Sequence, residues 1–331
     1  MDINLQDLHK AFETEGYIGE KELLTTIYLA LKLEKPLLVE GAPGVGKTEI
    51  AKVLSRIFQT DLIRLQCYEG LDENKALYEW NYQRQLIKIQ LFKETACNEL
   101  NEQDVFSSDY LLERPLLKAI RAKHRAVLLI DEIDKTDEEF EAFLFEILSD
   151  FQVSIPELGT VTAQHIPIVV LTSNHERELS DGLRRRCVYL YIDYPTIEKE
   201  MRIIQTKIPE VNEKLAKQIA AAVHHLRHAL NLQKKPSIAE TLDWTRALAA
   251  MHADFLEPAL VEQTLGLLLK HRDDLVTFQQ QMGVSGLCNA VKQSSATSTG
   301  CNCSLSDHNP PSQLNTQENG NNCHRHKGAI R

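Results

Sequence analysis

Residues 41–48 read GAPGVGKT: Gly41, four further residues, then Gly46-Lys47-Thr48. That spacing lets a backbone curl around phosphate. Glycine admits the dihedral angles that turn successive N–H groups toward phosphate oxygens, so Gly41, Ala42, Pro43, Gly44, Val45 and Gly46 form a candidate cradle. Lys47 reaches the β- and γ-phosphates, the Thr48 hydroxyl ligates Mg²⁺, and Glu49 closes the candidate nucleotide-binding segment. A second cluster, VLLIDEIDK, ends an apolar run in Asp131 and Glu132. Burying a strand that ends in two acids is costly unless a cation or a reaction uses them. Asp131 is expected to hold Mg²⁺, directly or through water, and Glu132 to polarise an attacking water. Asp134 is expected to cap or solvate the helix that follows. In the third cluster, IPIVVLTSN, Asn174 is placed to orient the water or touch the γ-phosphate, although asparagine after a strand is also a common turn former. In DGLRRRC, Arg184, Arg185 and Arg186 repel one another, and their gathering calls for a negative partner.

The elements that must position these groups can be read from periodicity. Up to about Pro195, short apolar runs (36–40, 61–67, 126–131, 166–174 and 188–193) alternate with helical patterns, the signature of an α/β protein with a parallel sheet. The helix after the glycine loop should bury Ile50, Val53, Leu54, Ile57 and Phe58, and its N-terminal dipole favours the anion. From about Thr196 to Gly283, apolar residues recur at three- and four-residue spacing, predicting a small all-helical unit. Residues 284–331 are rich in Ser, Asn, Gln and Gly and are expected to be a disordered tail. The expected organisation is thus 1–195, 196–283 and 284–331.

Composition narrows the class. The chain has 331 residues, 43% hydrophobic and 25% charged, with a net charge of −10. Such a charge counts against broad nucleic-acid binding. No apolar run is long enough for a membrane span, and the N-terminus lacks a signal-type apolar core, so a cytoplasmic location is expected. Seven cysteines, an odd number, do not suggest a disulfide framework. Cys301, Cys303, Cys323, His324 and His326 are donors suited to Zn²⁺ or Cu⁺, but their spacing fits no standard finger.

With GAPGVGKT, LLIDEID, TSN, LSDGLRRRC and PSIAETLDW in order over residues ~15–280, the chain resembles the AAA+ ATPases, a P-loop αβα sandwich with a helical lid, and specifically their MoxR group. Residues 151–163 resemble that clade's extra β-hairpin, and the long gap between Lys47 and Asp131 leaves room for its insert around 76–104. QCYEGLDENKALYEWNY and KPSIAETLDW are similar to ATPases that act with a von Willebrand factor A-type partner in maturing metalloenzymes, the carbon-monoxide-dehydrogenase accessory type. The resemblance implies ATP and Mg²⁺ as ligands, a homo-hexameric ring, a metalloenzyme as protein client, and Lys47, Glu132, Asn174 and Arg186 as catalytic groups. Arg186 would reach the nucleotide of a neighbouring subunit. One departure is plain: the lid's usual second-sensor arginine is replaced by Ala239, and Arg246 lies seven residues on, about 10 Å along a helix. Lys234 and Lys235 are the other basic candidates. Tyr17 and Ile18 resemble the adenine-side segment. Tyr68, Trp80 and Tyr82 fall where such rings place pore loops, with core packing the competing reading for Trp80. Two other functions stay open, a nucleotide-dependent assembly scaffold and a DNA-linked loader.

Overall fold

The computed structural model describes residues 3–95, 106–156 and 158–297. Two helices, α1 (Leu5–Thr14) and α2 (Lys21–Leu33), lead into β1 (Leu37–Gly41), and α3 (Lys47–Ile57) and β2 (Leu62–Gln66) follow. An excursion then contains α4 (Glu73–Ala76), β3 (Tyr78–Trp80), α5 (Tyr82–Thr95), β4 (Leu111–Glu113) and α6 (Pro115–Ile120). Next come β5 (Val127–Asp131), α7 (Glu138–Asp150), the antiparallel pair β6 (Gln152–Ile155) and β7 (Gly159–Thr162), β8 (Ile168–Ser173), the short α8 (Asp181–Arg186) and β9 (Val188–Ile192).

Five strands form one parallel sheet in the order β2-β5-β8-β1-β9. Because all five run the same way, the segments leaving β1, β5 and β8 emerge at one edge, where open α/β sheets bind ligands. Successive side chains of a strand face opposite ways. Leu37, Val39, Val127, Leu129, Ile168 and Val170 therefore join the core beneath α1–α3, whereas Leu38, Leu128, Ile130, Val169 and Leu171 join the core beneath α6 and α7. Both layers exclude water, which explains why these strands read as unbroken apolar runs. Ile50, Val53 and Leu54 of α3 are buried and Ile57 and Phe58 are partly so, as the helical spacing requires.

The expected hairpin at 151–163 is present as β6 and β7. The expected insert pairs β3 with β4, with Tyr78 opposite Glu113 and Trp80 opposite Leu111. Trp80 is buried, edge-on to Phe106, whereas Tyr68 and Tyr82 are exposed.

Beyond β9 the chain is helical: α9 (Ile197–Lys207), α10 (Glu213–Ala229), α11 (Ile238–Ala250), α12 (Pro258–Thr264), α13 (Arg272–Gln281) and α14 (Gly283–Thr297). They enclose a separate core around Trp244, Phe278 and the alanine-rich face of α10. Its centre also holds a buried ion pair, Arg227 with Glu200, whose guanidinium donates to Pro236 O at 2.7 Å as well. The sequence expectation of disorder from residue 284 needs correction. Leu287, Cys288 and Val291 of α14 are buried against α10 and α12, so three apolar residues at helical spacing suffice to pack a segment whose average composition is polar. Residues 298–331, with Cys301, Cys303, Cys323, His324 and His326, lie outside the described residues. Among the described residues no helix is long and apolar enough to cross a membrane.

Candidate nucleotide site

The loop between β1 and α3 wraps the Lys47 side chain. Its ammonium group donates to Gly41 O at 2.6 Å, Ala42 O at 2.8 Å and Asn174 Oδ1 at 2.7 Å. Burial pushes the Lys47 amine below its ordinary lysine value, opposed by the neighbouring carboxylates of Asp134, Asp131 and Glu132. Three peptide or amide oxygens thus occupy the donors that an incoming phosphate would claim. Gly44, at φ +73°, turns the loop where a side chain has no room, since a Cβ there would lie 2.4 Å from Ser237 Cβ.

Asp131 ends β5 with its carboxylate in contact with three elements. Oδ1 accepts from Thr48 at 3.0 Å and Thr172 at 2.5 Å; Oδ2 accepts from Arg64 Nη2 at 2.5 Å. Thr48 and Asp131 are hard oxygen donors side by side, a set that suits Mg²⁺, and the Arg64 guanidinium shows that the carboxylate takes a cation. Mg²⁺ would be held by Thr48 and Asp131 and would neutralise phosphate charge there.

Glu132 follows in the left-handed region, φ +60°, with its N–H donated to Thr172 Oγ1 at 2.9 Å. Beyond that strained turn its side chain lines the cavity that Lys47 and Thr48 also line. There Oε2 accepts from Gln66 Nε2 at 3.0 Å and Lys135 Nζ at 2.7 Å. Arg64 and Gln66 were missed by sequence reasoning. The available signal was period two: they are the alternate polar positions of an otherwise apolar strand, LIRLQ, and the register sets Gln66 beside Asp131.

Asp134 does not cap the following helix, as the sequence reading expected. Asp137 takes that place, accepting from Phe140 N at 2.8 Å. Asp134 is buried, and its Oδ2 accepts the N–H groups of Asn174 and Glu176, each at 3.0 Å, which fixes the loop carrying Asn174. Its Oδ1 is buried without a hydrogen-bond partner among the described residues.

Two cavities flank the loop. One of about 280 Å³ is lined by Lys47, Thr48, Asp131, Glu132 and Asn174, with Ala239 of the helical unit also on its wall. Arg246 lies instead on a second cavity of about 360 Å³ and bonds Asp243 at 2.9 Å; Lys234 pairs with Glu240 at 3.6 Å. The larger cavity, lined by Tyr17, Ile18, Val45, Ile192 and Leu242, has the apolar walls a base would need. The helical unit and the loop meet directly, because Ile238 N donates to Gly44 O at 3.2 Å.

The three arginines part company. Arg184 donates to the buried Glu40 of its own chain at 3.1 Å. Arg186 donates to Ser149 Oγ at 2.7 Å and Gly182 O at 3.0 Å, over the Phe145 ring, yet is largely exposed. Arg185 is exposed, and its side chain has no hydrogen bond or ion pair among the described residues.

Residues 36–187, from the start of β1 through α8, match the AAA domain of the dynein-related subfamily. The matched stretch spans the phosphate loop, both acids, Asn174 and the three arginines. Relatives include the uncharacterized protein SAB1265c of Staphylococcus aureus, 26% identical over 65% of this chain and 76% of its own. Another is the uncharacterized protein SH1500 of Staphylococcus haemolyticus, 26% identical over 70% of this chain and 82% of its own. Among solved structures, a mutant of Thermotoga maritima RuvB is 20% identical, with a TM-score of 0.47 over 76% of this chain and 71% of that one.

Proposed function

We propose that the protein is a Mg²⁺-dependent ATP hydrolase of the MoxR group, working as a homo-hexameric ring. The observation that carries this reading is the convergence of Lys47, Thr48, Asp131, Glu132 and Asn174 on one cavity, from the ends of three parallel strands. Lys47 and the loop N–H groups bind phosphate. Glu132 accepts a proton from water once Gln66 and Lys135 release its carboxylate, and Asn174 orients that water or the γ-phosphate. In this reading the unit 1–195 binds nucleotide and the helices from 196 onward close over the base as a lid. A pure nucleotide-binding scaffold has no use for an acid presented as Glu132 is.

Arg186 is the proposed finger for the neighbour's nucleotide, and Arg185 is its alternative, being exposed on the same helix. The segments QCYEGLDENKALYEWNY and KPSIAETLDW support a von Willebrand factor A-type partner and a metalloenzyme client in the cytoplasm. The net charge of −10 disfavours a nucleic-acid substrate.

The deciding experiment compares Glu132→Gln with wild type. The variant should bind ATP normally and turn over about 10²- to 10⁴-fold more slowly, because the phosphate cradle survives while proton acceptance is lost. Wild-type turnover by Glu132→Gln would reject this assignment. Mixing Lys47→Ala with Arg186→Ala tests the ring: partial recovery of activity requires a finger working between subunits.

A further inference from the structure

Glu40 is a buried acid that nucleotide binding leaves unused. It directly precedes Gly41 and is 2% exposed, and an unpaired carboxylate so placed would be strongly destabilising. Its contacts come from three other elements. Arg184 Nη2 of α8 donates to Oε1 at 3.1 Å, and the Tyr189 hydroxyl of β9 donates to Oε2 at 2.9 Å. His175 Nδ1, one residue past Asn174 and held at φ +63°, lies 3.9 Å from Oε2. One carboxylate therefore joins the strand entering the phosphate loop, the helix of the three arginines and the edge strand, and lies beside the segment carrying Asn174.

The helix α8 has only six residues, Asp181–Arg186, and Leu183 is its one buried side chain. It is seated on α7 through Gly182 and Arg186 against Phe145, and Arg184 adds the tie to Glu40. Side chains of successive helical residues are turned by about 100°. Pinning Arg184 inward onto Glu40 therefore turns Arg185 and Arg186 outward, and both are exposed. The neighbouring Gly41 also answers to the nucleotide site: its carbonyl accepts from Lys47 at 2.6 Å, and a Cβ on it would lie 2.2 Å from Ile192 O of β9.

We infer that Glu40 is a positioning residue: through Arg184 it sets the direction in which α8 presents Arg185 and Arg186 to the nucleotide of a neighbouring subunit, and through Gly41 it ties that direction to its own phosphate loop. This rests on the between-subunit finger proposed above. Lys47, on leaving Gly41 O for a phosphate, alters the residue bonded to Glu40, so occupancy of one site reaches the arginine offered to the next.

The test uses full-length chains. Glu40→Ala and Arg184→Ala should each lower turnover about 10²-fold, the scale expected of a misplaced catalytic group. Affinity for a fluorescent ADP analogue should be unchanged. Glu40→Gln, which keeps an acceptor for Arg184 and Tyr189, should recover part of the rate. The distinguishing readout is complementation. A Glu40→Ala subunit has a sound phosphate loop and a misdirected finger, so mixing it with Lys47→Ala should restore activity, and mixing it with Arg185→Ala/Arg186→Ala should not. Should Glu40→Ala fold poorly, Arg184→Ala, altered on a part-exposed side chain, gives the same reading. The control is Lys47→Ala mixed with Arg185→Ala/Arg186→Ala. Recovery in the control but not with Glu40→Ala or Arg184→Ala would overturn the positioning role and leave the finger standing. No recovery in the control would overturn both.

Discussion

Lys47 Nζ lies 2.7 Å from Asn174 Oδ1, joining the phosphate loop to the residue that follows β8. The same ammonium group is bonded to two loop carbonyls and is held below the ordinary lysine value of 10.5 by burial. An anionic phosphate reverses that shift, because a nearby negative charge favours the protonated amine. The sign follows: the bound state holds the Lys47 proton more tightly than the free state. ADP binding should therefore take up protons from the lowered free-state value upward, with affinity falling as pH rises through that value. Calorimetry in buffers of different ionisation enthalpy measures the uptake, and Lys47→Ala should abolish both uptake and tight binding. Proton release on binding would contradict the assignment.

Asp134 gives a second prediction. Removing its carboxylate in Asp134→Ala leaves the N–H groups of Asn174 and Glu176 unpaired, at about 1–3 kcal/mol of stability. Turnover should drop about tenfold or more as Asn174 loses its fixed position, while ADP affinity changes little. Asp134→Asn, whose amide oxygen can take over Oδ2, should retain most of both. Chemical denaturation and steady-state turnover are the measurements, and an Asp134→Ala protein with wild-type kcat would remove Asp134 from the site.

Gly44→Ala addresses the join between loop and lid. The added Cβ would meet Ser237 and must sit at φ +73°, so the lid has to back away. Binding of ADP should weaken by at least about tenfold, with the fold intact, since the strain falls where Ile238 N meets Gly44 O. Gly46→Ala is the informative comparison. Its Cβ meets no atom within 4 Å, although its φ of +98° still strains the loop. A lid cleaved by protease faster in Gly44→Ala than in Gly46→Ala would show which contact matters; equal rates would discount the join.

Truncation locates the end of the helical unit. Stopping the chain after Gly283 strips Leu287, Cys288 and Val291 from its core, and each large apolar side chain lost costs about 2–5 kcal/mol. The melting temperature should fall by ten degrees or so, or the lid should unfold separately. Stopping after Thr297 should leave it unchanged, because residues 298–331 are too polar in composition to supply much burial. Scanning calorimetry of the two truncations decides between this boundary and one at Gly283.

The sequence by itself determined the strands, the phosphate loop and the acids, because each rests on local physics. Apolar runs of strand length, glycines where the backbone must turn, and a cation donor beside a hydroxyl are constraints within ten residues of one another. Tertiary structure decided what those groups touch. Asp134 looked like a helix cap because its neighbours in sequence are helical, but its partners are the N–H groups at 174 and 176, across two strands. Arg64 and Gln66 became part of the site only through the register of β2 on β5. The helix at 283–297 was hidden because the segment's average polarity masked three residues whose worth depends on α10 and α12 being there to cover them. The three arginines could not be told apart as neighbours in a chain. Only the sheet, by burying Glu40 beside Arg184, turned one inward and left two facing out.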